Sequence, residues 1–105
     1  MDHSMCFGVY KNNLQIGFAS VITDQATFAY LADVYIIDEE QGNGYSKQLM
    51  LFIMNHPDLQ GLRRFMLATR DAHGLYKQFG FEIISKPDRN MEIIHSNIYQ
   101  IKDIN

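Results

Sequence analysis

Cysteine is almost absent: Cys6 stands alone in 105 residues. An internal disulfide is therefore excluded, and a reducing cytoplasm suits the chain. Between Met5 and Phe7, in an expected strand, Cys6 reads as a small buried hydrophobe rather than a nucleophile. No apolar run approaches the roughly 18 residues of a membrane span, and no signal-peptide pattern opens the chain. An excess of positive charge is missing too. The net charge of −3 argues against a nucleic-acid or acidic-membrane binder. His3, His56, His73 and His95 show no spacing that resembles a metal site. Repeats, low-complexity segments and linkers are also lacking. What is present is ordinary: 47% hydrophobic and 20% charged residues, enough for one core in a single domain, 1–105.

The organising stretch is Val34 to Phe52, VYIIDEEQGNGYSKQLMLF. Val34 to Ile37 form a continuous, largely β-branched apolar run, as a strand covered on both faces should be. After Gly44 the apolar residues Tyr45, Leu49, Phe52 and Ile53 form one stripe of an amphipathic helix. Between them Gln41, Gly42, Asn43 and Gly44 let the backbone turn tightly and point successive N–H groups into one concavity. The first helical turn adds its own unpaired N–H groups and the positive end of its dipole. Such a loop suits an anion, and a phosphate above all. An ordinary strand-to-helix turn is the competing reading. Asp38, Glu39 and Glu40 weigh against a phosphate through like-charge repulsion, with only Lys47 offsetting them locally. No lysine follows Gly44 as a nucleoside-triphosphate loop requires. Lys47 stands where a dinucleotide fingerprint needs its third glycine.

Met5 to Tyr10 and Leu14 to Thr23 read as two strands joined by a turn at Lys11, Asn12 and Asn13, because asparagine tolerates positive φ. Gly17 suggests a bulge. Thr27 to Ile37 is a third strand, which completes an antiparallel meander. The following helix ends before Pro57. Leu62 to Thr69 is a strand in parallel crossover with the third. Asp71 is a candidate N-cap for a short helix whose apolar positions are Ala72, Leu75, Tyr76 and Phe79, and Gly80 stops it. Phe81 to Ile84 reads as another strand, and Asn97 to Ile101 as a last one. The fold class is α/β, a mixed, mostly antiparallel sheet with two helices.

Gln41-Gly42-Asn43-Gly44-Tyr45-Ser46 resembles the Gln/Arg-x-x-Gly-x-Gly/Ala coenzyme A signature of the GCN5-related N-acetyltransferase (GNAT) family, with Ser46 in place of glycine or alanine. DAHGLYKQFGF, from Asp71 to Phe81, is similar to the family's second signature. With CFGVY and LADVYII these segments occur in family order, so the resemblance runs from Cys6 to Tyr99. It implies a GNAT-like fold and acetyl-CoA as co-substrate. The pyrophosphate would lie on the backbone of Gly42, Asn43, Gly44, Tyr45, Ser46 and Lys47, beside Gln41. The pantetheine arm would lie along Val34 and Ile36, one amide serving as an oxyanion-hole donor. Asp71 stands where relatives often use an asparagine on the coenzyme. Tyr76 aligns with the general acid beside the sulfur; as a residue on an apolar helix face, it also reads as simply core.

The base is left open. Relatives often carry a glutamate where this chain has Ala68. Asp33 is the best remaining carboxylate: alone in an apolar strand, it should be buried, which raises a pKa. The competing reading is a carboxylate bound to backbone groups where the sheet splays. Asp24 is a weaker candidate, and a water chain without a dedicated base is a further one. Relatives also usually begin with a strand and two helices that build the acceptor pocket, whereas only Met1 to Ser4 precede the hairpin. The wall would come from another subunit, a large acceptor would dock on an open groove, or the chain is a fragment or remnant.

Two functions of different class follow. One is an N-acetyltransferase acting on a primary amine, small or protein-borne. The other is a non-catalytic acyl-CoA-binding module. The aromatic-rich meander suggests a dimer or higher oligomer. Neither nucleic acid nor membrane is an expected partner.

Overall fold

The computed structural model describes residues 4–95. Strands β1 (Ser4–Lys11), β2 (Leu14–Thr23) and β3 (Phe28–Ile36) form the meander. Helix α1 (Tyr45–Met54), strand β4 (Arg64–Leu67) and short helix α2 (His73–Lys77) follow. The sheet runs β1-β2-β3-β4, antiparallel through β3 and parallel from β3 to β4. No helix among the described residues is long and apolar enough to cross a membrane.

Local chemistry accounts for the joints. Asn12 and Asn13 both take left-handed backbone angles, φ 53° and 68°. A two-residue hairpin of that form matches the natural twist of its strands. Val9 faces Gly17 while Tyr10 faces Gln15, so Ile16 is the extra residue of a bulge. That is one position from the expected site. Gly17 has its own reason to be glycine: a β-carbon there would stand 2.5 Å from Ile36 Cδ1 and 2.7 Å from the Tyr35 carbonyl oxygen. Backbone cannot yield as a side chain can. We expect Gly17→Ala to lower stability by about 1–3 kcal/mol, the usual cost of overpacking, measured by urea denaturation.

A second bulge shapes everything downstream. Ser20 faces Asp33, but Val21 faces Leu31, so Ala32 is supernumerary in β3. Pairing of β3 with β4 ends at Leu31 and Leu67, while β3 runs on to Ile36. Bulges bend a strand and increase its twist, so β3 leaves its neighbour where Ala32 intrudes.

One face of the sheet carries the core. Phe7, Ala19, Val21, Ala29 and Leu31 pack with Leu49, Met50 and Ile53 of α1, and with Leu59 and Tyr76. Full burial of a side chain such as Ile53 contributes about 1.5–3 kcal/mol. The α1 stripe differs from the expected one, since Met50 is buried and Phe52 exposed. Phe52 instead meets Phe7 edge-on, centroids 5.9 Å apart. Cys6 is exposed, contrary to expectation, because Phe7 beside it points into the core and strand alternation turns Cys6 outward.

Two further expectations change after β4. Asp71 does not cap α2; the Ala72 N–H donates instead to Thr69 Oγ1 at 3.0 Å. Phe81 to Ile84 is not a strand. Gly80, at φ 94°, closes α2 by bonds from its N–H to the Lys77 carbonyl and from the Phe81 N–H to that of Tyr76. Phe81 then packs edge-on against Phe65 and Tyr76, while Glu82 to Ile84 are exposed. Phe81 to Ile84 faces the edge strand β4 across a hollow shared with Phe65, Met66 and Leu67 but forms no ladder with it, since strand propensity alone does not set pairing. The expected strand Asn97 to Ile101 lies outside the described residues.

Candidate active site

The splay of β3 from β4 frees main-chain groups. The Ile37 N–H donates to the Ile16 carbonyl at 2.8 Å, on the β2 side. Extended backbone alternates, so the amides of Val34 and Ile36 face the opening. Gln41 Nε2 donates to the Ile36 carbonyl at 2.9 Å and to Asp38 Oδ1 at 3.3 Å, pinning the loop to the end of β3.

The loop presents its backbone. Gly42 and Gly44 have φ 84° and 83°, and nothing lies within 4 Å of where a β-carbon on either would be. The first intrahelical bond runs from the Gln48 N–H to the Gly44 carbonyl. Among the described residues no backbone carbonyl accepts from the N–H groups of Gly42 to Lys47. All of these residues except Asn43 line a hollow of ≈ 420 Å³ whose walls also include Val34, Ile36, Gln41 and Leu75. Asn43 turns away, its side chain donating to the Glu40 carbonyl at 3.3 Å.

The acidic run is less hostile than its sequence suggests. Lys11, from the distant hairpin, donates to Glu40 at 3.2 Å. The hydrogen bond it donates to this carboxylate, then the carboxylate's charge, raises the lysine's pKa. Solvent weakens such an exposed pair, but it places a cation beside the loop that local sequence does not reveal.

A second hollow of ≈ 380 Å³ lies where the strands part, lined by Leu31, Asp33, Val34, Arg70, Asp71 and Tyr76. Val34 borders both hollows. One hollow thus lies beside the glycine loop and the other beside Tyr76, with Val34 as their common wall. Tyr76 is buried within the core cluster, and burial pushes its phenol pKa up, so the hydroxyl keeps its proton at neutral pH. No buried polar side-chain atom is left unpartnered among the described residues, so this hydroxyl, without a protein partner, reaches the hollow rather than being sealed in the core. Asp71 is exposed on the same hollow, and Ala68 also borders it.

Asp33 is exposed, not buried, and its partner is a side chain rather than backbone: Ser20 Oγ donates at 2.9 Å. Both expectations for it are corrected by the same bulge. Counting by twos from buried Leu31 puts Asp33 in the core, but the extra Ala32 shifts the alternation and turns it to the open face. Asp24 is corrected as well. Its carboxylate accepts from the Thr27 hydroxyl and from the N–H groups of Thr27, Ala26 and Phe28. Those bonds, the hydroxyl's first, hold it well below the usual carboxylate range. It shapes a turn and is a poor proton acceptor.

A mixed sheet that opens between parallel neighbours beside a glycine loop defines an α/β domain of the acetyltransferase type. The model of the acetyltransferase (GNAT) domain matches residues 2–83, and the chain belongs to that family. A Gibberella zeae protein described as an acetyltransferase is 39% identical over 94 residues, covering 70% of this chain. The chain spans 52% of that relative's length. A crystal structure described as a GNAT-family acetyltransferase of Xanthomonas campestris pv. campestris is 55% identical, with TM-score 0.88. It covers 92% of this chain, which spans 68% of it. A predicted acetyltransferase of Clostridium acetobutylicum, solved with acetyl-CoA, shares the fold at 17% identity and TM-score 0.68. That match covers 88% of this chain and 64% of the other.

Proposed function

We propose that the protein transfers the acetyl group of acetyl-CoA to a primary amine. The observation that carries this reading is the placement of two hollows on either side of Val34, one at a loop of free amides and the other at Tyr76. The fit is good at the loop, where neither Gly42 nor Gly44 has an atom that would crowd a ligand against the backbone. The N–H groups of Gly42 to Lys47 would hold the pyrophosphate. Those of Val34 and Ile36 would hold the pantetheine amides, and one of them would polarise the thioester carbonyl.

Acetyl-CoA supplies an activated thioester. The neutral amine attacks its carbonyl carbon, a C–N bond forms and the C–S bond breaks. Tyr76 donates its hydroxyl proton to the leaving sulfur. Asp33, or water held at that carboxylate, takes the proton that the ammonium must lose. Its acetyl-CoA relative in Clostridium acetobutylicum supports the co-substrate, and family membership supports the reaction. Coenzyme A release, followed as free thiol across a broad panel of amines and lysine peptides, tests the reading. At least one amine should accelerate release well above hydrolysis. A protein that binds acetyl-CoA and is accelerated by none would be a binding module instead.

A further inference from the structure

The face of the sheet turned away from the helices has an arrangement of its own. The register aligns three rows across it: Gly8, Phe18 and Tyr35; Cys6, Ser20 and Asp33; Ser4, Ile22 and Tyr30, with Met66 beyond. The Phe18 and Tyr35 rings stand 6.3 Å apart and are 41% and 47% exposed. Tyr10 joins them by lying across Gly8, its Cε1 2.7 Å from where a β-carbon would be. Ile22, 46% exposed, flanks the other side. Asp33 therefore sits between two apolar rows, on the wall of the hollow that holds Tyr76. Among the described residues it makes no ion pair, and its carboxylate accepts only from Ser20.

We infer that this face takes the acceptor, and that the acceptor is a primary amine with an aromatic or long apolar body. The inference rests on the transferase reading and names its substrate class. An ammonium at Asp33 satisfies the carboxylate and brings the nitrogen to the edge of the Tyr76 hollow. The carbon body then covers Phe18, Tyr35 and Tyr10, or Ile22 on the other side, where cation–π and apolar contact favour it. A polyamine fits worse. Arg64 shares this face beyond Met66, with Nη1 4.0 Å from Met66 Sδ, and opposes a second positive charge. A second copy of the chain, the occupant that the aromatic meander suggests, would take water from Asp33. Arg70 on the same hollow makes no ion pair with it among the described residues, so burying the carboxylate is costly.

The test compares phenylethylamine, hexylamine, ethanolamine and spermidine as acceptors, with light scattering of the same samples. We expect kcat/KM for phenylethylamine to exceed that for ethanolamine by about 10–100-fold, the range an apolar pocket supplies. Phe18→Ser should remove most of that advantage through KM, and Asp33→Asn should raise KM for every amine. Phenylethylamine binding, read by calorimetry without turnover, should weaken in both variants. Turnover without this preference, or favouring spermidine, overturns the inference and leaves the transferase reading standing. Turnover of no amine, with binding that still depends on Phe18 and Asp33, sinks the transferase reading and keeps the amine-binding face. A dimer that Phe18→Ser converts to monomer assigns the face to self-association and overturns the inference.

Discussion

Tyr76→Phe is expected to lower kcat by about 10²–10⁴-fold, the usual contribution of a positioned acid or base. The substitution removes one oxygen and leaves the ring, which packs edge-on against Phe81 with centroids 6.1 Å apart. Because the hydroxyl makes no hydrogen bond among the described residues, its loss should cost little stability. Its raised pKa gives the test a second arm. Burial raises the phenol's pKa, so the acid holds its proton to higher pH than a free tyrosine would. The wild-type rate should therefore climb from neutral pH as the amine's neutral fraction grows. Acetyl-CoA affinity should change little, since the loop lies at the other end of the opening. A Tyr76→Phe enzyme as fast as the parent would leave this residue as part of the core alone.

Gly44→Val should weaken acetyl-CoA binding by about 10–100-fold, equivalent to losing one charge-assisted bond of about 1.5–3 kcal/mol. Gly44 holds the N-cap of α1 at φ 83° and its missing side chain points into open space. In the free protein a valine meets no atom there. The cost to folding is the left-handed backbone, about 1–2 kcal/mol for a residue with a β-carbon. The cost to binding is a branched side chain where the phosphate must touch the amides. Gly61→Val separates the two, because Gly61 is also left-handed, at φ 71°, with nothing within 4 Å, and does not border the hollow. Calorimetry should find both variants similarly destabilised and only Gly44→Val impaired in binding. Equal acetyl-CoA affinity in a folded Gly44→Val variant would falsify the assignment of the loop.

The features legible in the sequence are those held by neighbours along the chain. Two asparagines predict a two-residue hairpin because each tolerates positive φ, and both adopt it. Gly42 and Gly44 predict a turn that exposes amides, and Gly80 predicts the end of α2. Family order along CFGVY, LADVYII and LYKQFGF predicts the mixed sheet, which the chain has. Each depends on backbone preferences that act over a few residues. Propensity misled where pairing decides: Phe81 to Ile84 carries strand-forming residues and borders a hollow with the edge strand β4, yet makes no ladder with it.

Only tertiary structure decided which side chains face the opening. A single supernumerary residue, Ala32, reverses the alternation of β3, so Asp33 leaves the core for the open face while Val34 borders both hollows. Nothing in LADVYII announces the bulge, because it arises from how β2 and β3 register against each other. Lys11 reaches Glu40 from 29 positions away, a contact set by the hairpin's return beside the loop. The glycine loop could be read from its own residues because it presents backbone, and backbone conformation follows local sequence. The acceptor side could not, because it presents side chains whose direction depends on strand pairing across the whole sheet.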